Sequence, residues 1–490
     1  MTSDGIAVRS FLRTHRLTVL LISVAILVPC FWHKHIESGD LPSHVYNAWL
    51  TELAQQGKAP GVYVVTQWSN VSFDLLLLYL SKLFGLAIAE KLAVSFCVLV
   101  FFWGIFALVA AVSGRVPWTM VPIVAMLSYG YVFYMGFMNF YLSIGLACWA
   151  LAAMWPGQRI GQIVAVCLVP FVVLAHPLGF LFLLGVGCYR VLWRKLSGRI
   201  RLLLPAVAVA IAIGVHIFIL RHPGLQPDWF TEPFYQSNGM DQFEIFGSPF
   251  EILKNVLAAF VAVCIVVDLI IDGGTIRYFK DRLLIIELYL ISLVTVALLP
   301  ENLLPDPTAG WIGMVVTRLT VILAIFGLCW LATLRPRKWH IAGFIAIALI
   351  YFGFLYRDTG FLNRLEQNAE QITRQLSFGT RVLVTVYQRP GDRDMTIHSV
   401  ERACIEHCFV FSDYEPSTKA FRLRVRPGSL VVTDVVSNSE DMASGTYDVQ
   451  EEDLPLKDIY QCDSNDLTKL CIRDLAEGEE NGRLGYRPAP

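Results

Sequence analysis

The chain has 490 residues, 55% of them hydrophobic and 16% charged. Soluble domains carry about 25% charged residues, so this composition excludes an ordinary soluble protein and implies an integral membrane one. A net charge of -1, with no basic tail, gives no sign of a nucleic-acid partner.

A helix needs ~20 mostly apolar residues to cross the hydrocarbon, so the apolar-rich stretch from Leu17 to Tyr356 has room for about eleven crossings. Spans are predicted at 17–35, 87–112, 116–133, 139–155, 160–176, 178–192, 202–220, 251–271, 284–299, 311–333 and 339–356. The first follows Arg9, Arg13 and Arg16 and has no small-residue cleavage site after Trp32, so it reads as a retained helix rather than a signal peptide.

The loop after it, 36–86, opens on a polar run from Glu37 to Asn47. Asp40 suits the N-cap of a helix starting at Leu41, with Pro42 in its first turn. In that helix Val45, Trp49 and Leu53 share one face and His44 and Asn47 another, which predicts an amphipathic helix on the outer membrane surface. Two roles for Asp40 and His44 stay open at this point: a cap with an interfacial side chain, or a pair that does chemistry. Glu37 and Asp40 are spaced so that they could share a hard cation such as Mg²⁺ or Mn²⁺. The segment Ser72 to Leu80 is too short to span and reads as re-entrant or interfacial.

Further along, Asn139 stands in the run Gly136 to Tyr141, at the outer end of a span. His176 falls at an outer turn, and Arg221 at the outer end of the seventh span. The loop 221–250 holds Trp229, Glu232 and Asp241. Arg318 lies about two turns into the tenth span; an arginine at that depth costs ~2.5–3.5 kcal/mol and so either snorkels to the interface or serves a phosphate. Asp268 and Glu287 lie near inner ends and read as interfacial. Acids do not form a chain through the membrane centre, as a proton-coupled pump would want.

Charge sets the expected orientation. Arg115, Arg159, Arg190 to Arg201, Arg277 to Arg282 and Arg335 to Lys338 fall in one alternating set of loops, shared with the N-terminal arginines. Short cytoplasmic loops concentrate Lys and Arg, which puts the N-terminus inside and the C-terminus outside. The tail 357–490 is polar, with an amphipathic linker helix over 358–377 and strand-like alternation over 381–387 and 421–425, so a small extracytoplasmic α/β domain is expected there. Its four cysteines, Cys404, Cys408, Cys462 and Cys471, lack the tight pairs of a zinc site and suggest disulfides, with the pairing open.

Together the run Gly39 to His44, the segment from Leu53 to Gly61, the segment Gly136 to Phe140, and Leu299-Pro300 with Arg318 resemble the GT-C glycosyltransferases of bacterial membranes. That superfamily includes the protein O-mannosyltransferases, the oligosaccharyltransferases and the lipid A aminoarabinose transferases. The resemblance covers most of residues 1–356 and implies a polytopic α-helical domain in the bacterial inner membrane, followed by an extracytoplasmic domain over 357–490. It implies sugar transfer from a polyprenyl-phosphate donor to a glycan, lipid or protein acceptor at the outer face, with inversion. Asp40 would be the general base, Arg318 and then Arg221 the cations at the leaving phosphate, and His44, Tyr63, Asn139 and Glu232 groups that orient sugar or carrier. Many members carry a second acid in the next outer loop, and the turn from Tyr129 to Asn139 has none, which puts a metal pair in doubt. A transporter and a non-catalytic assembly partner for envelope glycans are the alternatives; the crowding of polar residues on one side speaks against the first.

Overall fold

The computed structural model describes residues 3–229, 238–271, 276–306, 310–388, 396–418 and 420–482. Each predicted span falls largely on helix. In chain order these are α1 (Ser3–Leu27), α4 (Leu86–Ser113), the pair α5 (Val121–Ser128) and α6 (Tyr131–Tyr134), α7 (Met138–Met154), α8 (Arg159–Ala175), α9 (Pro177–Lys195), α10 (Gly198–Arg221), α11 (Ser248–Ile271), α12 (Ile276–Ala297), α13 (Val315–Leu331) and α14 (Lys338–Thr373). Among the described residues α4, α10, α11 and α14 are each long and apolar enough to cross a membrane, and five shorter apolar helices accompany them. The chain is an α-helical polytopic membrane protein with a small C-terminal sheet region.

Two short helices sit in the first loop. The first, α2 (Leu41–Gln55), is followed by α3 (Ser72–Phe84). Gly85, at φ +78°, ends α3 and lets the chain turn directly into α4. Phe73, Leu77, Leu78 and Ser81 of α3 are buried, while Tyr79, Leu83 and Phe84 are exposed.

Three expectations differ from what is observed. The third span is broken at Tyr129-Gly130, where Tyr129 has left helical geometry and Gly130 is extended. The eleventh span and the linker helix are one continuous helix of 36 residues, α14, with no proline to interrupt it. Most of α2 is buried, from Leu41 through Thr51, so it does not lie on a membrane surface. Leu41, Val45 and Ala48 pack into the helical core, and Tyr46, Trp49, Leu50 and Leu53 pack into the core of the C-terminal domain. A helix with apolar groups on two sides needs two partners, and the C-terminal domain is the second.

That domain is built on a four-stranded sheet. Its strands are β5 (Thr380–Thr385), β6 (Cys408–Val410), β8 (Lys457–Gln461) and β9 (Leu470–Asp474), in the order β6-β5-β8-β9. β5 runs parallel to β6 and β8, and β8 pairs antiparallel with β9. Disulfides join Cys404 to Cys408 and Cys462 to Cys471. A separate antiparallel ribbon ties the first loop to this domain: β1 (Val62–Val64) pairs with β7 (Leu423–Val425). A three-stranded sheet of β2 (Gln226–Asp228), β3 (Asn302–Asp306) and β4 (Gly310–Ile312) connects the later loops.

At one end of the bundle the basic loops meet. Arg115 donates to the carbonyl of Ala332 at 2.7 Å, Arg282 bonds the Thr333 hydroxyl at 2.9 Å, and Asp268 accepts from the Arg335 amide at 3.2 Å. Asp268 is buried beside Arg282 at 3.6 Å. Glu287 accepts from the Tyr189 hydroxyl at 2.7 Å. The acid and histidine residues of the first loop gather at the other end.

Candidate active site

Two of the motifs singled out in the sequence are physically strapped together. The Gly39 amide donates to the Tyr134 carbonyl at 2.7 Å, the Asp40 amide to the Met135 carbonyl at 3.1 Å, and the Ser38 hydroxyl to the Phe133 carbonyl at 2.6 Å. Gly136 adopts φ +82°, and a Cβ there would stand 2.3 Å from the Asp40 amide nitrogen. Glycine is therefore required at 136 for both conformation and approach. Asp40 precedes α2, but its side chain makes no capping bond, so the carboxylate is left for other partners.

Those partners come from the bundle and from the C-terminal domain. His398 Nε2 lies 3.8 Å from Asp40 Oδ1, and its Nδ1 is 2.6 Å from Glu401 Oε1. The Tyr414 ring lies 5.1 Å from the His398 ring. Arg318, in the first turn of α13, lays its guanidinium over the Phe137 ring at 3.9 Å, within electrostatic reach of Asp40. Among the described residues its Nε is buried without a hydrogen-bond partner. The nearby acid Glu301 is already engaged by the Thr317 hydroxyl at 2.6 Å. A delocalised, weakly hydrated cation stacked on an aromatic ring tolerates this position better than lysine would. Burial raises the Asp40 pKa above the usual carboxylate range, and His398, His44 and Arg318 oppose that rise. Burial works against a charged His398, but Glu401, Asp40 and Asp413 outweigh it and lift His398 to about 9.

Beside this pair lies a second polar cluster. His44 Nδ1 is 2.7 Å from Asp74 Oδ1, and Asp74 Oδ2 accepts from Asn139 Nδ2 at 2.8 Å. Asn139 Oδ1 takes the Phe73 amide at 2.7 Å, so one side chain fixes both the start of α3 and the aspartate on its first turn. Glu415 lies 3.8 Å from His44 and accepts from the Ser43 hydroxyl at 3.3 Å. Asn47 bonds Ser43 at 3.1 Å and Asp413 at 3.3 Å. A cavity of about 30 Å³ opens here, between His44, Asn47, Asp74, Glu415 and Arg422. Burial disfavours the His44 imidazolium, yet Asp74, Glu415 and Asp40 raise it to about 10. Burial raises Glu415 to about 8 against the pull of His44.

The remaining candidates are placed elsewhere. Arg221 is exposed at the end of α10 and is not among the groups around Asp40. Tyr63 is on β1, 40% exposed. Glu232 lies outside the described residues. Glu37 does not face Asp40: it is buried, bonded by Asn363 at 2.7 Å, and near Arg402, Glu90 and Glu366. The two acids have separate partners, and among the described residues no group of three or more His, Cys, Asp or Glu could hold a metal ion. Burial raises Glu37 to about 7 against the pull of Arg402.

Sequence reasoning missed His398, Glu401, Asp74 and Glu415. Asp74 left a signal, as the single acid in the apolar run from Val71 to Ala89. The spacing of His398 and Glu401 in an otherwise unassigned string was a weaker one.

No protein-family model and no curated protein sequence matches the chain. Among solved structures, the crystal structure of ArnT from Cupriavidus metallidurans bound to undecaprenyl phosphate is similar over 83% of this chain and 86% of that one, at 14% sequence identity and a TM-score of 0.43.

Proposed function

We propose that this protein is an integral membrane glycosyltransferase of the GT-C kind, which moves a sugar from a polyprenyl-phosphate donor to an acceptor at the outer face of the bacterial inner membrane. In this orientation the N-terminus is cytoplasmic and the C-terminal domain extracytoplasmic. The observation that carries the assignment is the meeting of a partly buried carboxylate, Asp40, with an arginine, Arg318, that has no ion pair among the described residues. An acid able to take a proton and a guanidinium able to take a phosphate are the two groups such a transfer needs.

In the proposed step the acceptor hydroxyl gives its proton to Asp40 while its oxygen attacks the anomeric carbon. The bond from that carbon to the phosphate oxygen breaks on the opposite face, with inversion. The electron pair stays on the phosphate, and Arg318 stabilises the charge that develops there. His398 and Glu401 act through Asp40, and Asn139 acts by holding Asp74 and the start of α3.

Arg318→Gln is expected to weaken binding of undecaprenyl phosphate to the purified full-length protein by about tenfold or more, with Arg318→Lys recovering part of it. Intrinsic fluorescence titration measures this, and unchanged affinity in Arg318→Gln would remove the phosphate role.

His398→Asn tests the electrostatic support of the base. Asp40 must be ionised to accept a proton, so transfer rises with pH through its pKa. An imidazolium lowers that pKa, and removing it is expected to move the acid limb of the rate profile upward, with activity regained toward alkaline pH. A uniformly depressed profile with an unmoved limb would mean that His398 has only a packing role.

A further inference from the structure

The two-stranded ribbon β1–β7 has one face in the C-terminal core and one away from it. Leu423 is buried, while Arg422, Arg424 and Arg426 alternate with the inward residues along Phe421 to Arg426. Side chains two apart on a strand share a face and repeat every ~6.6–6.8 Å. Tyr63 is the register partner of Arg424, and its ring carries the Arg426 guanidinium at 5.6 Å. Arg424 donates to the Thr418 carbonyl at 2.6 Å. Arg422 and Arg426 form no ion pair among the described residues; Asp74 is in electrostatic range of Arg422.

The stripe has a direction. Arg426 is exposed, Arg424 is partly buried, and Arg422 lines the cavity shared with His44, Asp74 and Glu415. A row of cations at regular spacing, with an aromatic ring among them, suits a linear anion with sugar rings better than a compact lipid headgroup. Its cavity end, Arg422, lies at the polar cluster next to Asp40.

We propose that this face is the docking surface for the acceptor, and that the acceptor is a linear anionic glycan bearing carboxylate or phosphate groups. The proposal rests on the glycosyltransferase assignment and adds the acceptor class to it. Guanidinium groups pair with such anions at two points, and the Tyr63 ring offers an apolar face to a sugar. The surface interaction weakens as salt screens it.

The test uses purified full-length protein and a fluorescent oligogalacturonate as probe, with a malto-oligosaccharide of equal length as the neutral control and dihexanoylphosphatidylglycerol as the headgroup control. The double variant Arg422→Gln/Arg426→Gln is expected to bind oligogalacturonate about tenfold or more weakly, and the Arg→Lys pair to recover only part of the affinity. The malto-oligosaccharide should bind weakly and alike to all of them. Equal binding of oligogalacturonate by wild type and the Gln pair overturns the proposal, as does an absence of binding by wild type. A loss confined to phosphatidylglycerol also overturns it and makes the stripe a headgroup contact. Asp40→Asn separates the two claims: it should bind the probe like wild type, whereas the catalytic assignment stands or falls on its transfer activity.

Discussion

Asp40→Asn is expected to lower sugar transfer by roughly 10²–10⁴-fold, the usual contribution of a positioned general base. Asparagine keeps the shape of the side chain and cannot take the acceptor proton. The fold should survive, because the Asp40 carboxylate makes no capping bond to α2 and its backbone is held by the Met135 carbonyl and by Gly136. Thermal unfolding of the purified variant should therefore stay near wild type. The pH profile adds a second criterion. In the wild type the rate should fall with acidification as Asp40 gains its proton; in Asp40→Asn the residual rate should not follow that limb. Asp40→Glu should retain part of the activity, since a displacement of about 1 Å at a reacting group can cost 10²-fold. Transfer is measured with a labelled polyprenyl-phosphate sugar and membranes containing the variant. Near-wild-type transfer would remove the base role from Asp40, and co-purification of the protein with an active glycan enzyme would then favour a non-catalytic assembly partner.

Hydropathy was enough to place the helices. A lipid-facing helix must satisfy its backbone internally, and that leaves long apolar runs that can be read off the chain. The break at Tyr129-Gly130 was not legible, because it serves a tertiary contact: the Tyr351 hydroxyl bonds the Tyr129 carbonyl at 2.6 Å. Asp40 and Arg318 stood out because charge near a membrane is expensive. The contribution of the C-terminal domain did not stand out. His398 and Glu415 are ordinary polar residues in a polar tail, and only the docking of that tail on α2, with Tyr46 receiving the Val410 amide at 3.0 Å, brings them to the site. The same docking explains why α2 was misplaced. Periodicity identified its apolar face and could not say whether lipid or protein covered the rest. Arg221, chosen for its sign and its position at a helix end, had no such geometric support.

Arg402→Met is expected to destabilise the protein by about 3–5 kcal/mol, the cost of leaving buried charge without its partner. Arg402 comes from the C-terminal domain and is buried among three carboxylates of the membrane domain and its long helix. It lies 2.9 Å from Glu90, 3.4 Å from Glu366 and within range of Glu37, and it donates to the Ile36 carbonyl at 3.1 Å. One cation already serves more than one acid there, and burial holds Glu37 at about 7 against the opposing charge of Arg402. A raised carboxyl pKa means that the folded state binds more protons than the unfolded one between about 4.5 and about 7, so this group's contribution to stability falls as pH rises through that window. Without Arg402 the carboxylates repel one another, and protonation becomes the way to relieve them. The deficit of Arg402→Met should therefore be largest at alkaline pH and shrink on acidification toward pH of about 5. A deficit caused only by lost packing would be flat with pH. Differential scanning fluorimetry of wild type and variant across pH distinguishes the two. Because Ile36 and Glu37 lead straight into Gly39 and Asp40, a loosened Arg402 latch should also let the loop that carries the proposed base move, and transfer by the variant should recover together with its stability as the pH is lowered toward the point where Asp40 itself begins to protonate.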